Sequence, residues 1–513
     1  MKKFAPRFLE RFGVCIVAVL SCFDRLNLKG YLPFGDDDHL NSYVDGVLKM
    51  RRIDFVPWLE QHSQRLVEHA QELAQREGRP YVYRQGKFSK EKFIQDLIRQ
   101  DGLSEGLVAV LCTQETCRTV KLVYGKDRPR LVFARRPQRV LYFYVLDAEF
   151  GLRHVRLQTW FPYTIQVCVN GHDWLARQML HARLGFEQQD NAFLALDDPQ
   201  RAQQLADRFP RLDWVKQLTR WARQVNPLLC RGGWLSGTNY RWVADQVEYS
   251  TDVLFTSRAA LQELYPRLLD HAAVNFAAQD ILTFLGRKLH GNFQGEVLTD
   301  CKKDRWPGAR VKHRVKGNWL KMYDKFGLLL RVETVINQPR EFHIRRECTR
   351  NGHQQVDWCP MNKGVANLPC YQQVARAANE RYLEALSVVA DPTPAYRQVA
   401  HLAESKVAGG RRYAGFNPAR RDDVRLFQAV LAGDHHLRGF RNADIRRALY
   451  GEPRDPRQRQ RQAHRVTRLL KRLHVRALVA KIPRTRRWRV TARGQRLLGA
   501  ILQLHYHGLS TAA

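Results

Sequence analysis

Five short runs of β-branched and aromatic residues, all between residues 107 and 169, constrain the fold of this chain more than any other feature. Each run is five to seven residues long and is bounded by polar or turn-forming residues, which is typical of a β-strand. The runs cover residues 107–112, 119–124, 140–146, 154–160 and 165–169. Helical periodicity surrounds them, so the sequence predicts an α+β body containing an antiparallel sheet.

The N-terminal region begins with an apolar run, Val14–Cys22, that indicates a buried first strand. A signal peptide is a weaker interpretation, because Glu10 interrupts the preceding basic residues and no cleavage motif follows. Asn27–Gly30 then predicts a turn, and residues 31–35 a short second strand. The helical pattern follows from about residue 40 to 100.

Local patterns also predict elements beyond the sheet region. Asn170–Gly171 indicates a turn and Asp173 a cap for a helix over residues 174–180. Residues 190–290 are mostly helical in pattern, including 242–255, and residues 319–336 predict a β-hairpin.

The domain organisation predicted from these patterns has four consecutive parts. They are an α+β module at 1–190, a helical and β-hairpin region at 191–405, a Gly- and Pro-containing linker at 406–420, and a C-terminal domain at 421–513. The formal net charge is +35, and residues 411–496 carry +19 of it, with 25 Lys and Arg against 6 Asp and Glu. Such an excess favours a polyanionic partner, and the C-terminal region is the strongest candidate for binding it.

The C-terminal region has an ordered pattern of predicted elements. A helix at 424–432 precedes a second at 443–449, for which Asn442 is the predicted cap, and a third at 462–473. Strands at 478–482 and 488–491 form a hairpin with a basic tip, and Thr491 caps a closing helix. This order resembles the winged helix-turn-helix domains of MarR-like transcription factors, although the Arg454–Arg461 loop departs from their compact spacing.

The resemblance implies that the third helix enters a major groove while the wing contacts the flanking backbone. Arg465, Arg468 and Arg472 would then contact phosphates or guanine edges, and Arg484, Arg486 and Arg487 would belong to the wing. The complete predicted set in this domain is Arg461, Arg465, Arg468, Lys471, Arg472, Lys481, Arg484, Arg486, Arg487 and Arg489.

A second basic segment lies outside this domain. Arg310, Lys312, Arg314 and Lys316 alternate with other residues over seven positions, and we predict that they contact phosphates. Whether the nucleic acid is DNA or RNA is left open by both segments.

No catalytic motif for nucleotide hydrolysis, serine hydrolysis, zinc proteolysis or rolling-circle nicking is present in the sequence. Candidate catalytic and metal-binding carboxylates are Asp24 at the end of the first strand, and Asp324 and Glu333 in the 319–336 hairpin. Glu248 and Asp252 are predicted to share a helix face. These carboxylates also have structural alternatives to a catalytic role. Asp324 can form a turn, and Glu333 can pair across the hairpin with Lys321.

Residues 320–333 also resemble a hairpin of phage and plasmid replication initiators, with the pattern Tyr-Asp-Lys followed by Leu-Arg-x-Glu. The whole chain looks like bacterial proteins with a MarR-like end, which implies a mobile-element setting. The first hypothesis is a non-enzymatic nucleic-acid-binding protein of a mobile-element or ribonucleoprotein system. The alternatives are a nuclease, transposase or replication initiator that uses Mg²⁺ or Mn²⁺, and a protein that binds structured RNA.

The cellular setting is predicted from the cysteines and the hydropathy. Ten cysteines without a CxxC pair are typical of a reducing compartment, and no apolar run is long enough to span a membrane. We therefore expect a cytoplasmic protein with no cofactor for the binding function and an unknown oligomeric state.

Overall fold

Residues 4–503 are described by a computed structural model, except for 35, 85–87, 126–127, 288–294, 303–308, 351–352, 391–399, 433–434, 436–438 and 484. Contacts divide the chain into two units that interleave along the sequence. The central unit comprises residues 18–252 and 335–376, and the terminal unit comprises residues 1–17, 253–334 and 377–513. The boundaries predicted at 190 and 405 do not coincide with this division, because each unit is assembled from separate stretches of chain.

Helices and strands occur in both units, as expected for an α+β fold. The helices are α1 Pro6–Phe12, α2 Asp37–Gly46, α3 Arg52–Arg76, α4 Lys90–Gln100, α5 Gly171–His181, α6 Pro199–Ala206, α7 Trp214–Val225, α8 Arg258–Val274, α9 Ala278–Phe284, α10 Leu368–Leu386, α11 Arg421–Val430, α12 Asn442–Tyr450, α13 Pro456–Val475 and α14 Ala492–Gln503. Among the described residues, no helix is both long and apolar enough to cross a membrane. All ten cysteines are free thiols.

The strands are named in the same way. They are β1 Ile16–Tyr31, β2 Tyr81–Tyr83, β3 Gly106–Tyr124, β4 Pro129–Asp147, β5 Gly151–Gln158, β6 Ile165–Asn170, β7 Phe186–Gln189, β8 Ala192–Leu196, β9 Arg241–Phe255, β10 Val297–Lys302, β11 Arg310–Val315, β12 Asn318–Lys325, β13 Leu329–Ile336, β14 His343–Arg350, β15 His353–Pro360, β16 Lys406–Ala408, β17 Arg411–Tyr413, β18 Val479–Lys481 and β19 Trp488–Val490.

The central unit is built on strands in the order β9-β1-β6-β5-β4-β3-β2. Antiparallel pairing joins β1 to β6 and continues through β5 and β4 to β3, as the sequence predicts. The short strand β2 departs from this pattern, since it pairs with β3 in parallel. Helix α3 packs on β3 and β4.

Strand β1 corrects the prediction of a turn at Asn27–Gly30, because the chain continues through these residues as one strand to Tyr31. Gly30 serves close packing there. A Cβ at Gly30 would lie 2.6 Å from Ile165 Cγ2, so a larger residue would displace the neighbouring strand.

Strands β3 and β4 are longer than their predicted runs, with 19 residues each. Their pairing continues to Tyr124 and Pro129, whereas β5 covers β4 only from Val140 onward. The far part of the hairpin is therefore a two-stranded ribbon. The residues of this ribbon are largely polar and basic, so the apolar pattern of the sequence does not predict its full length.

Strand β9 corrects the helix predicted over 242–255. Most of its second half is buried, and a strand buried on both faces has the continuous apolar pattern that also fits a helix. The cap predicted for α5 is corrected as well: Asn170 accepts a hydrogen bond from the His172 backbone N–H, and Asp173 lies inside the helix.

The terminal unit contains the strand order β10-β11-β12-β13, with α8 and α9 packed on β10 and β11. Strands β12 and β13 form the predicted hairpin, and Asp324 accepts a hydrogen bond from the Gly327 N–H in its turn. His313 is buried in this unit and contacts Thr299 and Tyr382 through its two ring nitrogens.

Helices α11–α14 and strands β18 and β19, which we call the C-terminal module, follow the predicted order of three helices, a hairpin and a closing helix. The Gly494 N–H bonds to the Thr491 hydroxyl at the start of α14, as predicted. The predicted linker at 406–420 instead contains the hairpin β16–β17. Its Phe416 is fully buried in the core of the module, so this segment is an integral part of the fold.

Candidate functional site

The third helix of the C-terminal module, α13, begins earlier than predicted. Asp455 accepts a hydrogen bond from the Gln458 N–H, and Pro456 occupies the first turn, both of which favour a helix start. Val466, Leu470 and Leu473 are buried on its inner face. Because the first turns lack apolar residues, periodicity alone did not detect them.

The outer face of α13 carries a stripe of exposed arginines. Arg457, Arg461, Arg465 and Arg468, which we call the arginine stripe, follow one another at steps of four, four and three residues. Such steps place side chains on one face of a helix. In the part of the chain that the structure describes, no carboxylate lies within 4 Å of these guanidinium groups. Lys471 is also exposed on this helix.

Arg472 lies on the same helix but contacts the protein itself. Its guanidinium carbon is 4.1 Å from the centroid of the Phe416 ring, and its nitrogens donate to the carbonyl oxygens of Ala414 and Gly415. Burial lowers the pKa of Arg472. These contacts fasten the 406–420 segment to α13, so we leave Arg472 out of the proposed surface.

The hairpin of the module places its basic residues in different environments. Lys481 and Arg486 are exposed, whereas Arg487 and Arg489 are half-buried. Arg487 donates a hydrogen bond to the Gly439 carbonyl oxygen. Arg484 lies outside the described residues.

The second predicted basic segment lies in the terminal unit. Arg310, Lys312 and Arg314 alternate along β11 on one face, and Lys316 follows in the turn with a φ of 53°. Arg310 lies 3.7 Å from Asp300, which offsets part of its charge. Arg314 and Lys316 are exposed.

The pKa of Lys312, in the same segment, is lowered by its surroundings. Its Nζ is 3.5 Å from the centroid of the Trp319 ring, and Lys321 is its direct cross-strand partner on β12. Desolvation, together with repulsion from Lys321, Arg314 and Arg310, lowers the pKa of Lys312 to about 8. Like charges directly opposite each other are unfavourable, and an anion on this face would relieve the repulsion.

The predicted carboxylates of the terminal unit have protein partners. Glu333 is almost fully buried, with Lys321 Nζ 2.5 Å from Oε1 and the Tyr323 hydroxyl 2.8 Å from Oε2. The pairing of Glu333 with Lys321 is the alternative that the sequence left open. Burial raises the pKa of Asp324, whose carboxylate caps the β12–β13 turn.

Asp24 of the central unit lies in a buried cluster that we call the His172 cluster: Asp24, His172, Glu248 and Asp252. His172 Nδ1 is 3.4 Å from Asp24 Oδ1, and Nε2 is 3.7 Å from Asp252 Oδ2. Oxygen atoms of Asp24 and Glu248 lie within 4.8 Å of each other. Asp24, His172 and Asp252 are each at most 5% exposed.

The local fold explains how this cluster forms. Arg25 pairs with Asn170 in the β1–β6 register, so α5 begins beside Asp24. A Cβ on Gly171 would lie 2.2 Å from the Phe23 carbonyl oxygen; the glycine lets α5 approach β1 and brings His172 to Asp24. The Asn191 amide also donates to Asp24, at 2.6 Å.

Strand β9 brings the remaining carboxylates of the cluster beside β1. Ser21 contacts Thr251, and Asn27 contacts Gln246, so the Asp24–Glu248 pair lies between two polar cross-strand contacts. Glu248 and Asp252 therefore reach the cluster from a strand rather than from the predicted helix face. Sequence reasoning did not select His172, because it is separated from its partners by up to 148 residues.

The donors of the His172 cluster fit a divalent cation in part. Two adjacent carboxylates are suitable ligands for Mg²⁺ or Mn²⁺, and these cations commonly retain waters in their remaining positions. No family model matches the chain, and no curated protein or solved structure shows significant similarity to it.

Proposed function

We propose that this protein binds nucleic acid through the arginine stripe of its C-terminal module, with duplex DNA as the first target to test. The observation that carries the proposal is the row of four exposed guanidinium groups on one helix face, with no carboxylate of the described residues within 4 Å of them. Residues four apart on a helix rise by about 6 Å, and an α-helix fits the major groove of duplex DNA. Lys471 on the same helix and the exposed Lys481 and Arg486 of the β18–β19 hairpin add to the positive charge of the module.

The basic face of β11 supports a second phosphate contact. Repulsion at Lys312 and the neighbouring Trp319 ring are typical of surfaces that bind phosphates and stack on bases. We place the activity in a cytoplasmic mobile-element or ribonucleoprotein setting, because the resemblance to MarR-like domains and replication initiators implies one.

The test compares two sets of three charge-removing substitutions in the full chain. Arg461→Gln, Arg465→Gln and Arg468→Gln remove the stripe. Lys216→Gln, Arg220→Gln and Arg223→Gln remove exposed cations at nearly the same spacing from α7 and serve as the control.

We expect the first set to weaken binding of a 30-base-pair duplex by about 100-fold in fluorescence anisotropy, and the control by less than threefold. The stripe substitutions should also reduce the slope of log K against log salt by about 2.7, which is 0.9 for each of three phosphate contacts. Equal losses from both sets would refute the placement. Stronger competition by a structured RNA hairpin than by duplex DNA would favour RNA as the target.

A second candidate function, metal-dependent cleavage of phosphodiester bonds, is favoured by the Asp24–Glu248 pair beside His172. A divalent cation held there supplies charge stabilisation and an activated water. Asp24 and Glu248 would hold the cation, Asn191 orients the Asp24 carboxylate, and His172 is placed to accept a proton while Asp252 stabilises its charged form.

The cleavage assay uses end-labelled single- and double-stranded DNA and RNA with Mg²⁺ or Mn²⁺. Asp24→Asn and Glu248→Gln should abolish cleavage while duplex binding is retained, and Asp38→Asn, an exposed carboxylate, should leave it unchanged. Asp324→Asn and Glu333→Gln belong in the same series because these residues are predicted catalytic groups. Intact substrates in all metal conditions would refute this second function.

A further inference from the structure

A groove of about 610 Å³ opens on the central unit beside the β3–β4 ribbon. Its lining includes four cationic side chains, Lys29, Arg118, Arg135 and Arg156, and no aspartate or glutamate among the residues that the structure describes. A concave surface whose charged lining residues are cationic attracts anions, because its walls exclude part of the screening water.

Two of these cations face each other directly. Arg118 and Arg135 are cross-strand partners in the antiparallel register of β3 and β4. The Cβ atoms of such a pair lie about 5 Å apart, and like charges at this distance destabilise a sheet. A phosphate between the two guanidinium groups would turn this repulsion into two charge-assisted interactions.

The ring of Phe133 holds one of these guanidinium groups in place. The guanidinium carbon of Arg118 is 3.7 Å from the centroid of the Phe133 ring, and Phe161 stacks with Phe133 at 6.3 Å. A stacked guanidinium loses less conformational entropy when it binds a ligand. The groove is thus organised for an anion before binding.

The two remaining cations of the groove, Arg156 and Lys29, have different neighbours. Arg156 is neutralised by Glu115, whose carboxylate lies 2.8 Å away, and despite its partial burial the pKa of Glu115 is lowered to about 2 by the Tyr142 hydroxyl and Arg156. Lys29 has its Nζ 5.1 Å from the centroid of the Tyr31 ring. Tyr31 is 40% exposed and offers an aromatic surface at the groove.

We propose that this groove binds a single-stranded segment of nucleic acid, with one phosphate between Arg118 and Arg135 and a base on Tyr31. A single strand fits better than a duplex, because only unpaired bases can turn outward to stack on a side chain. This site is separate from the arginine stripe and does not depend on the proposed duplex binding.

The test measures the affinity of the full chain for 12-nucleotide oligo(dT) and oligo(U) strands by fluorescence anisotropy. Arg118→Gln with Arg135→Gln removes the facing pair. Arg136→Gln with Arg139→Gln is the matched control, since both residues are exposed on the same ribbon but do not line the groove. Each pair is made both in the unchanged chain and in the chain that carries Arg461→Gln, Arg465→Gln and Arg468→Gln. The comparison separates binding at the groove from binding at the arginine stripe.

We expect the groove pair to weaken single-strand binding about tenfold and to reduce the salt slope by about 0.7, because the two arginines contact one phosphate. Duplex binding should change less than twofold. If the groove pair weakens oligo(dT) binding more than oligo(U) binding, the ligand is DNA, and the reverse result identifies RNA. An equal loss from the control pair, an equal loss for duplex, or no loss would overturn the proposal.

Two further measurements keep the result independent of folding. Arg118→Lys with Arg135→Lys should recover most of the affinity because the positive charges return, and thermal unfolding should show that every variant folds. If the glutamine pair does not fold, Lys29→Gln replaces it and should lower the salt slope by about 0.7. Competition by thymidine monophosphate as strong as that of the 12-nucleotide strand would indicate a mononucleotide site and would contradict strand binding.

Discussion

The arginine stripe of α13 and the His172 cluster both concentrate charge, but they do so in opposite environments. The stripe is exposed, and its charges remain hydrated, so it costs the fold little. The cluster is buried, where desolvation makes each charged group expensive unless its partners remain in place. Removing a charge from the stripe should therefore change stability little, whereas removing a charge from the cluster should leave a buried group without its partner.

The largest expected effect tests the cost of the buried charges. Asp252→Ala removes one of the two carboxylates beside His172, and we expect a loss of about 3 kcal/mol in the free energy of unfolding. Arg465→Ala should cost less than about 0.5 kcal/mol. Urea unfolding of the full chain, followed by tryptophan fluorescence, measures both.

The exposed carboxylate substitution Asp38→Ala is the control for charge removal in the central unit. A midpoint for Asp252→Ala equal to that of Asp38→Ala would show that the buried cluster contributes no more to stability than a surface charge. The contrast between the two regions would then be lost.

An intermediate effect separates binding from stability within α13. Arg468→Gln should weaken duplex binding about tenfold and lower the salt slope by about 0.9, without changing the unfolding midpoint. Arg472→Gln removes two hydrogen bonds to backbone carbonyls and should destabilise the module by about 1–2 kcal/mol. Anisotropy titrations at several salt concentrations and thermal unfolding give the two readouts.

A reduced salt slope for Arg472→Gln at unchanged stability would contradict the structural role of Arg472. It would also restore this residue to the binding surface that the sequence predicts.

The smallest expected effect concerns Lys312, whose pKa lies near 8. As pH rises from 7 to 9, Lys312 loses its proton, so nucleic-acid affinity should fall by about threefold if this face contacts phosphate. In the unfolded chain the lysine keeps its proton to a higher pH, and its contribution to stability therefore rises with pH above 8. Lys312→Arg should make the affinity independent of pH over this range, and a persistent decrease would assign it to another group.

The sequence pattern identified much of the fold where structure is local. Apolar periodicity predicted the elements of the C-terminal module, and β-branched runs predicted the strands of the central unit. The errors have physical causes: β9 is buried on both faces and has no distinct period, Gly30 permits close packing rather than a turn, and the first turns of α13 contain no apolar residue.

The candidate sites divide in the same way. Exposed arginines at helical spacing follow from the sequence, because a helix converts spacing in the chain directly into a face. The sequence by itself therefore determined the net charge of this protein and the helix on which exposed arginines share one face. Only the tertiary structure decided that His172 lies between Asp24 and Asp252, that Glu248 reaches Asp24 from a strand, and that Arg118 and Arg135 pair across neighbouring strands and line one groove. These contacts depend on strand register and on the close approach at Gly171, which join residues far apart in the chain.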